Sequence, residues 1–262
     1  MQSGKLGKVG LVRAWAYHDW LANDLGKPQD TDPPKTVDYD LWLGPAPQRP
    51  FNKNRFHFNF RWFWDYAGGL MTDWGVHQIN ILLWAMGPDY PKTISSTGGK
   101  FVLDDNTETP DTQVTVFEFP KYTMIWEHKV GIANGLYNRP WGLAFVGSDA
   151  TLVIDDGGFQ VTPEPKSKNK PEPVKFGGGG DSRPLHVKNF LDCMKSRQQP
   201  VENLEVGHQV STVAHLGNVA YRCGRKITWD AGKEIIVGDK EADKLVGVEY
   251  RKPWTLPYSR RA

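Results

Sequence analysis

Residues 67–87 read Ala67-Gly68-Gly69-Leu70-Met71-Thr72-Asp73-Trp74-Gly75-Val76-His77-Gln78-Ile79-Asn80-Ile81-Leu82-Leu83-Trp84-Ala85-Met86-Gly87. A glycine pair opens a run of mixed apolar and polar residues. Gly87-Pro88 closes it, a common way for a helix to stop. Asp73, His77 and Asn80 fall at i, i+4 and i+7, one stripe of an α-helix. Val76, Ile79, Leu83 and Met86 recur at i, i+3, i+7 and i+10 and are expected to form a separate apolar face that docks on a core. One helix then carries a core face and a polar stripe bearing a carboxylate and an imidazole. Such a pair moves protons or binds a metal near neutral pH. The same spacing also occurs where Asp and His only cap a helix or satisfy buried partners. Two neighbours favour a site. Gly68-Gly69 lets another group approach the backbone closely. Just before it, Arg61-Trp62-Phe63-Trp64-Asp65-Tyr66 groups aromatic and charged residues as a wall that binds a carbohydrate or another ring would.

These residues also carry a resemblance. Gly-Gly-Leu-Met-Thr-Asp-Trp-Gly-Val-His-Gln-Ile-Asn, residues 68–80, resembles the signature of the Gfo/Idh/MocA family of sugar and inositol dehydrogenases, Gly-Gly-Gly-x-x-x-Asp-x-Gly-x-His-x-x-Asp. Ala67 stands where a third glycine is common, and Asn80 where Asp is common. Residues 3–9 resemble the start of the family's C-terminal domain, residues 39–47 its long loop before the signature helix, and residues 186–229 its closing helices. The resemblance implies that Asp73 and His77 are catalytic, together with a Lys from a preceding nucleotide-binding domain. That domain's glycine-rich phosphate loop and its Glu-Lys-Pro are not found in the 262 residues. Gly4-Lys5-Leu6-Gly7-Lys8-Val9-Gly10 is the nearest imitation, with the wrong spacing and with a strand expected after it rather than a helix. The expectation is therefore a single substrate-binding and oligomerisation domain over residues 1–262, lacking the Rossmann domain. It would bind a sugar or polyol and would not transfer hydride alone. No NAD(P) is expected to bind tightly unless a Rossmann domain is supplied.

Composition fits a globular chain able to bury a sizeable core. Net charge is +2, with 32 Lys and Arg against 30 Asp and Glu, so no electrostatic case for nucleic acid arises. No apolar run is long enough to span a membrane. No apolar signal core opens the sequence, so a cytoplasmic location is the expectation unless an upstream segment carries a signal. Eleven Trp and 12% aromatics are a surplus expected to line a pocket or an interface between subunits. Cys193 and Cys223, the only cysteines, read as free thiols.

A pass along the chain gives a strand over 9–17, a long irregular region over 19–59, then the signature helix. Short strands are read at 94–96 and 99–103. Hairpins follow at 113–119 with 123–128 and at 143–147 with 151–154, then a strand over 159–162. Residues 163–182, rich in Pro, Lys and Gly, read as a mobile loop. Helices are expected over 184–196 and 203–221. The fold class that follows is α+β, a large open mostly antiparallel β-sheet with helices packed on one face. The resemblance implies the same, and that the free face packs against another subunit as a homodimer or higher homo-oligomer.

The candidate site is Asp73 and His77 as catalytic groups, with Arg55, His57, Arg61, Trp62, Trp64 and Asn80 binding substrate. A second class of reading stays open: a cofactor-independent, metal-dependent hydrolase or lyase. Asp73 and His77, with His18 brought near, have the donor types for a divalent metal. A third is a non-catalytic carbohydrate-binding module using Trp62 and Trp64.

Overall fold

Trp126, Met124, His128 and Val130 alternate with less buried neighbours along one strand, and that alternation sets the two sides of the molecule. The computed structural model describes residues 3–169, 171–178 and 181–256. In chain order it has β1 (Val9–His18), α1 (Tyr39–Leu43), α2 (Gly69–Met86), β2 (Thr93–Gly99), β3 (Thr112–Glu118) and β4 (Thr123–Val130). There follow β5 (Trp141–Gly147), β6 (Ala150–Asp155), β7 (Gly158–Pro163), β8 (Val174–Gly177), α3 (Arg183–Ser196), α4 (Leu204–Cys223), β9 (Ile227–Asp230), β10 (Ile235–Ile236) and α5 (Lys240–Lys244).

The strands form one open sheet in the order β10-β9-β2-β3-β4-β1-β5-β6-β7-β8. Every pairing is antiparallel except β1 with β4, where Ala14 faces Trp126 and His18 faces Val130. The fold is therefore α+β, as the strand meander predicts. The main core joins α2 and α4 to one sheet face through Met71, Ile79, Leu82, Val213, Leu216, Phe117, Met124 and Trp126. Trp15, Ala144 and Val153 form a small separate cluster, with Tyr17 and Leu136 packed against it.

The helix termini follow their sequence signals. Gly87 closes α2 at φ 104° and Gly224 closes α4 at φ 66°, both in the region that favours glycine. Asn203 caps α4 by accepting the Val206 N–H at 2.9 Å. Gly217 on α4 sits where an added Cβ would meet Met71 Cε of α2 at 2.7 Å and Phe117 of β3 at 3.1 Å. A small residue there lets the two helices and the sheet meet.

Three readings of the sequence are corrected. The apolar face of α2 is wider than the Val76, Ile79, Leu83, Met86 stripe and centred elsewhere. Met71, Gly75, Gln78, Ile79, Leu82 and Leu83 are buried, whereas Val76 and Met86 are only half-buried, because the helix is wedged between α4 and the sheet. Of the strand expected over 99–103, only Gly99 is strand, as the end of β2, and residues 100–103 leave the sheet. The N–H groups of Phe101, Val102 and Leu103 donate to one Asp111 carboxylate oxygen at 2.9–3.0 Å, which takes their hydrogen bonds away from any ladder. Within the expected mobile loop, Val174–Gly177 pairs with β7 as the edge strand of the sheet. Residues 170, 179 and 180 of that loop lie outside the described residues. Strands β9 and β10 and helix α5 add elements that the pattern did not reveal.

Candidate functional site

α2 starts at a crowded junction. Gly69 has φ 64°, and an added Cβ would meet the Thr109 side chain at 2.7 Å. Asn218 of α4 donates to the Gly68 carbonyl at 2.8 Å. The glycine pair thus allows the close approach anticipated from the sequence, and the approaching groups are Asn218 at Gly68 and Thr109 at Gly69. This junction fixes where the first turns of α2 point.

Those turns present Asp73 half-buried and His77 exposed, one turn apart, with Asn80 half-buried further on. Arg61 reaches Asp73, with Nε 3.3 Å from the carboxylate. Its guanidinium lies over Phe58 at 3.8 Å and 5.2 Å from the Trp20 ring, so the cation is held by aromatic faces as well as by the carboxylate. Burial pushes the Asp73 carboxyl above its ordinary value, while the positive charges of Arg61 and His77 pull the other way.

Trp74 follows Asp73 and joins the rest of the rim. Its ring lies 6.0 Å from His77, 4.3 Å from His18 and 5.2 Å from Trp141. His18 also stacks on Trp20 at 4.5 Å. Burial lowers the His18 pKa, with the Asp19 charge opposing, which favours the neutral ring. The result is an aromatic rim of Trp20, Phe58, Trp74 and Trp141 around Arg61, Asp73 and the two imidazoles. It can present one charged pair and an exposed proton carrier beside flat apolar faces.

The structure separates several residues expected together. Trp62 is 1% exposed, part of the core, with its ring 6.4 Å from Trp20. Trp64 turns away: its indole N–H donates to the Glu108 carbonyl at 3.1 Å, and its ring lies against Tyr221 and Arg222. The wall dissolves because residues 57–62 form a tight 3₁₀ helix and Phe63 is extended, so residues 62 and 64 do not share a face. Arg55 is buried and donates to Asp30 at 2.8 Å and to the Pro50 carbonyl at 2.7 Å, a brace for the long loop. His57 lies on Phe56, with ring centroids 3.9 Å apart. Among the described residues no three His, Cys, Asp or Glu side chains are grouped to hold a metal, so Asp73, His77 and His18 do not form the expected ligand set. Trp20, Phe58, Trp74 and Trp141 were not expected. Trp74 and His77 stand at i and i+3, a spacing that marks helix neighbours and would have found the first of the rim.

Among the described residues no glycine run joins a parallel strand to the start of a helix. Gly4–Gly10 run into β1, not into a helix. β8, an antiparallel edge strand, is followed in chain order by α3, α4 and antiparallel β9, whereas a phosphate loop needs a parallel strand–helix–strand unit. Cavities of about 360 and 410 Å³ lie elsewhere, one around Thr31, Tyr39 and Arg49 and one around Lys5, Asp149 and Val174.

The chain is similar in fold to known oxidoreductases. It matches a putative NADPH-dependent oxidoreductase from Desulfitobacterium hafniense at TM-score 0.61 and 15% identity, over 87% of this chain and 59% of that one. Levoglucosan dehydrogenase in complex with NADH and levoglucosan matches at TM-score 0.61 and 12% identity, over 87% of this chain and 60% of that one. An oxidoreductase domain protein from Kribbella flavida matches at 0.60 and 16%, over 86% and 59%. The chain thus spans about 60% of the length of these proteins. No curated protein matches it. The sequence profile of an oxidoreductase family's C-terminal alpha/beta domain covers residues 6–123 and 180–256. By that match, which takes in the signature helix and most of the chain, this protein belongs to the Gfo/Idh/MocA family of oxidoreductases and represents its C-terminal alpha/beta domain.

Proposed function

We propose that this chain is the sugar- or polyol-binding domain of a nicotinamide-dependent oxidoreductase. The observation that carries the reading is Asp73 and His77 one turn apart on the outer side of α2, with Arg61 on Asp73 and an aromatic rim alongside. Ligand hydroxyls would lie against His77 and Asp73, and the flat rings of Trp20 and Trp74 would take its apolar face. His77, exposed and free to exchange protons, takes or returns the proton of the reacting hydroxyl at a ring nitrogen. Asp73 orients that imidazole and offsets its positive charge once protonated. Arg61 offsets part of the cost of burying the Asp73 carboxylate. A nicotinamide would supply the hydride acceptor, held by a nucleotide-binding domain and not by these residues. The chain alone is accordingly not competent for hydride transfer. Levoglucosan dehydrogenase, a neighbour in fold, lends the sugar class its support. A homo-oligomer through the free sheet face completes the proposal.

Calorimetric titration tests it. Levoglucosan, L-sorbose and myo-inositol serve as polyol probes, and the four oxidised and reduced nicotinamides as cofactor probes. Binding of at least one polyol, weakened in His77→Ala, with no nicotinamide binding in the micromolar range, is expected. A micromolar nicotinamide affinity, or polyol binding indifferent to His77→Ala, overturns the reading.

A further inference from the structure

Four segments meet at the start of α2: the glycine pair itself, the stretch before β3, β3 and α4. Asn218 of α4 donates through Nδ2 to the Gly68 carbonyl at 2.8 Å, and Thr109 stands against Gly69. Gln113 of β3 donates through Nε2 to Ser96 Oγ at 3.0 Å and reaches the Gly217 carbonyl, next to Asn218, at 3.5 Å. Thr109 is 3% exposed, Gln113 0% and Asn218 4%, so none of the three can turn to solvent. Each still holds a buried oxygen with no hydrogen-bond partner among the described residues: Thr109 Oγ1, Gln113 Oε1 and Asn218 Oδ1. Native interiors leave few such atoms unsatisfied, because each forfeits the hydrogen bond it would make in water.

The helix brings the complementary need. The first N–H groups of an α-helix have no partner within it, and a side-chain oxygen usually accepts from one of them. No side chain caps α2, which starts from Gly68. One junction therefore gathers unpartnered acceptors from three segments and helix-end donors from the fourth. This pairing selects the ligand. An anion suits the helix end but not the amide oxygens of Asn218 and Gln113. A cation suits those oxygens but not the positive end of a helix. Water donates and accepts at once, and internal waters serve groups of this kind with about three hydrogen bonds each.

We propose that this junction is a binding site for internal water. The water donates to Asn218 Oδ1 and Gln113 Oε1, takes or gives a hydrogen bond at Thr109 Oγ1, and accepts from the first-turn N–H groups of α2. It serves as the cap that no side chain supplies. It also ties α2 to α4 and to β3 one turn ahead of Asp73, and it does so whether or not the outer stripe of α2 binds a polyol.

Two measurements on the full chain test the site. The first is magnetisation transfer from water to the backbone amides of Leu70, Met71 and Thr72 in the wild type. A direct dipolar contact with a long-lived water is expected at one or more of them, and its absence at all three overturns the proposal. The second is the thermal midpoint of Thr109→Val and Thr109→Ser. Val keeps the shape and removes the hydroxyl. If that hydroxyl holds water, its loss lowers the midpoint by about 2–4 °C, the worth of one hydrogen bond in a chain of this size, and Ser stays closer to the wild type. If the hydroxyl is simply buried without a partner, Val relieves it and the midpoint rises, which overturns the proposal. Wild-type midpoints in sodium, potassium and choline chloride at equal ionic strength should agree, and a rise with one metal ion alone assigns the site to that ion instead of water. Where Thr109→Val does not fold, the wild-type amide contacts decide.

Discussion

Asp73 and His128 show how the same burial acts in opposite directions on an acid and a base. Asp73 is pushed up by burial and held back by Arg61 and His77. Its raised folded-state value means the folded state binds that proton more readily than the unfolded state. The contribution to stability is therefore present below the unfolded carboxylate value and is lost as pH rises through the folded one. His128 is buried and hydrogen-bonded on both nitrogens. Trp126 Nε1 donates to its Nδ1 at 3.1 Å, and Nε2 lies 3.2 Å from the Pro110 carbonyl, which requires the neutral ring protonated on Nε2. Burial lowers its pKa from 6.5 to about 4. The unfolded state binds the proton first as pH falls, so stability present above pH 6.5 is lost between about 6.5 and 4. The loss is expected to reach about 3 kcal/mol across that window. Thermal unfolding of wild type and His128→Gln from pH 7.5 to 4.5 checks it: the wild-type curve should fall more steeply. Parallel curves contradict the assignment. Asp73 and His77 were legible from spacing alone, since i and i+4 must share a helix face. Arg55, His57, Trp62 and Trp64 were not, because their placement depends on the 3₁₀ turn over His57–Trp62 and on where Phe63 becomes extended.

Helix α2 is positioned by what it cannot contain. Side chains at Gly69 and Gly217 would collide with Thr109 and Met71, so these glycines set the approach of α2 to its neighbours. Gly217→Ala is expected to destabilise the protein by about 1–3 kcal/mol through overpacking against Met71 and Phe117. Denaturant unfolding measures this, and in a Met71→Ala background, which frees the space, Gly217→Ala should cost less. An unchanged midpoint for the single variant contradicts the tight crossing. The ends of α2 and α4 were legible because glycine at a helix stop carries its own signal. The apolar face of α2 was misread because a helix wedged between a helix and a sheet buries more than one stripe, and periodicity identifies stripes, not what lies against them. The segment over 100–103, beyond the end of β2, looked like a strand because its residues suit one. Only the tertiary approach of Asp111 removes its hydrogen bonds from the ladder.

The whole molecule has two unlike sides. One sheet face is covered by α2 and α4. The other carries the small Trp15, Ala144 and Val153 cluster, with Tyr17 donating to Glu127 at 2.7 Å. The proposed oligomer uses this second face. Size-exclusion with light scattering at micromolar concentration should give at least twice the 29.6 kDa chain mass, and a monomer contradicts it. The layer order was legible from the hairpins, whose turns fix neighbours in the sheet. The joining of β1 to β4 in parallel was not, because it is set by packing between distant segments. The central claim is that a polyol binds on the outer stripe of α2. Backbone amide chemical-shift mapping of the wild-type chain, titrated with levoglucosan, L-sorbose and myo-inositol, tests it most directly. The account predicts the largest changes at Arg61, Asp73, Trp74 and His77 and at the end of β1. Changes centred instead on the cavities around Tyr39 and Arg49 or around Asp149 and Val174, or none at all, would contradict it.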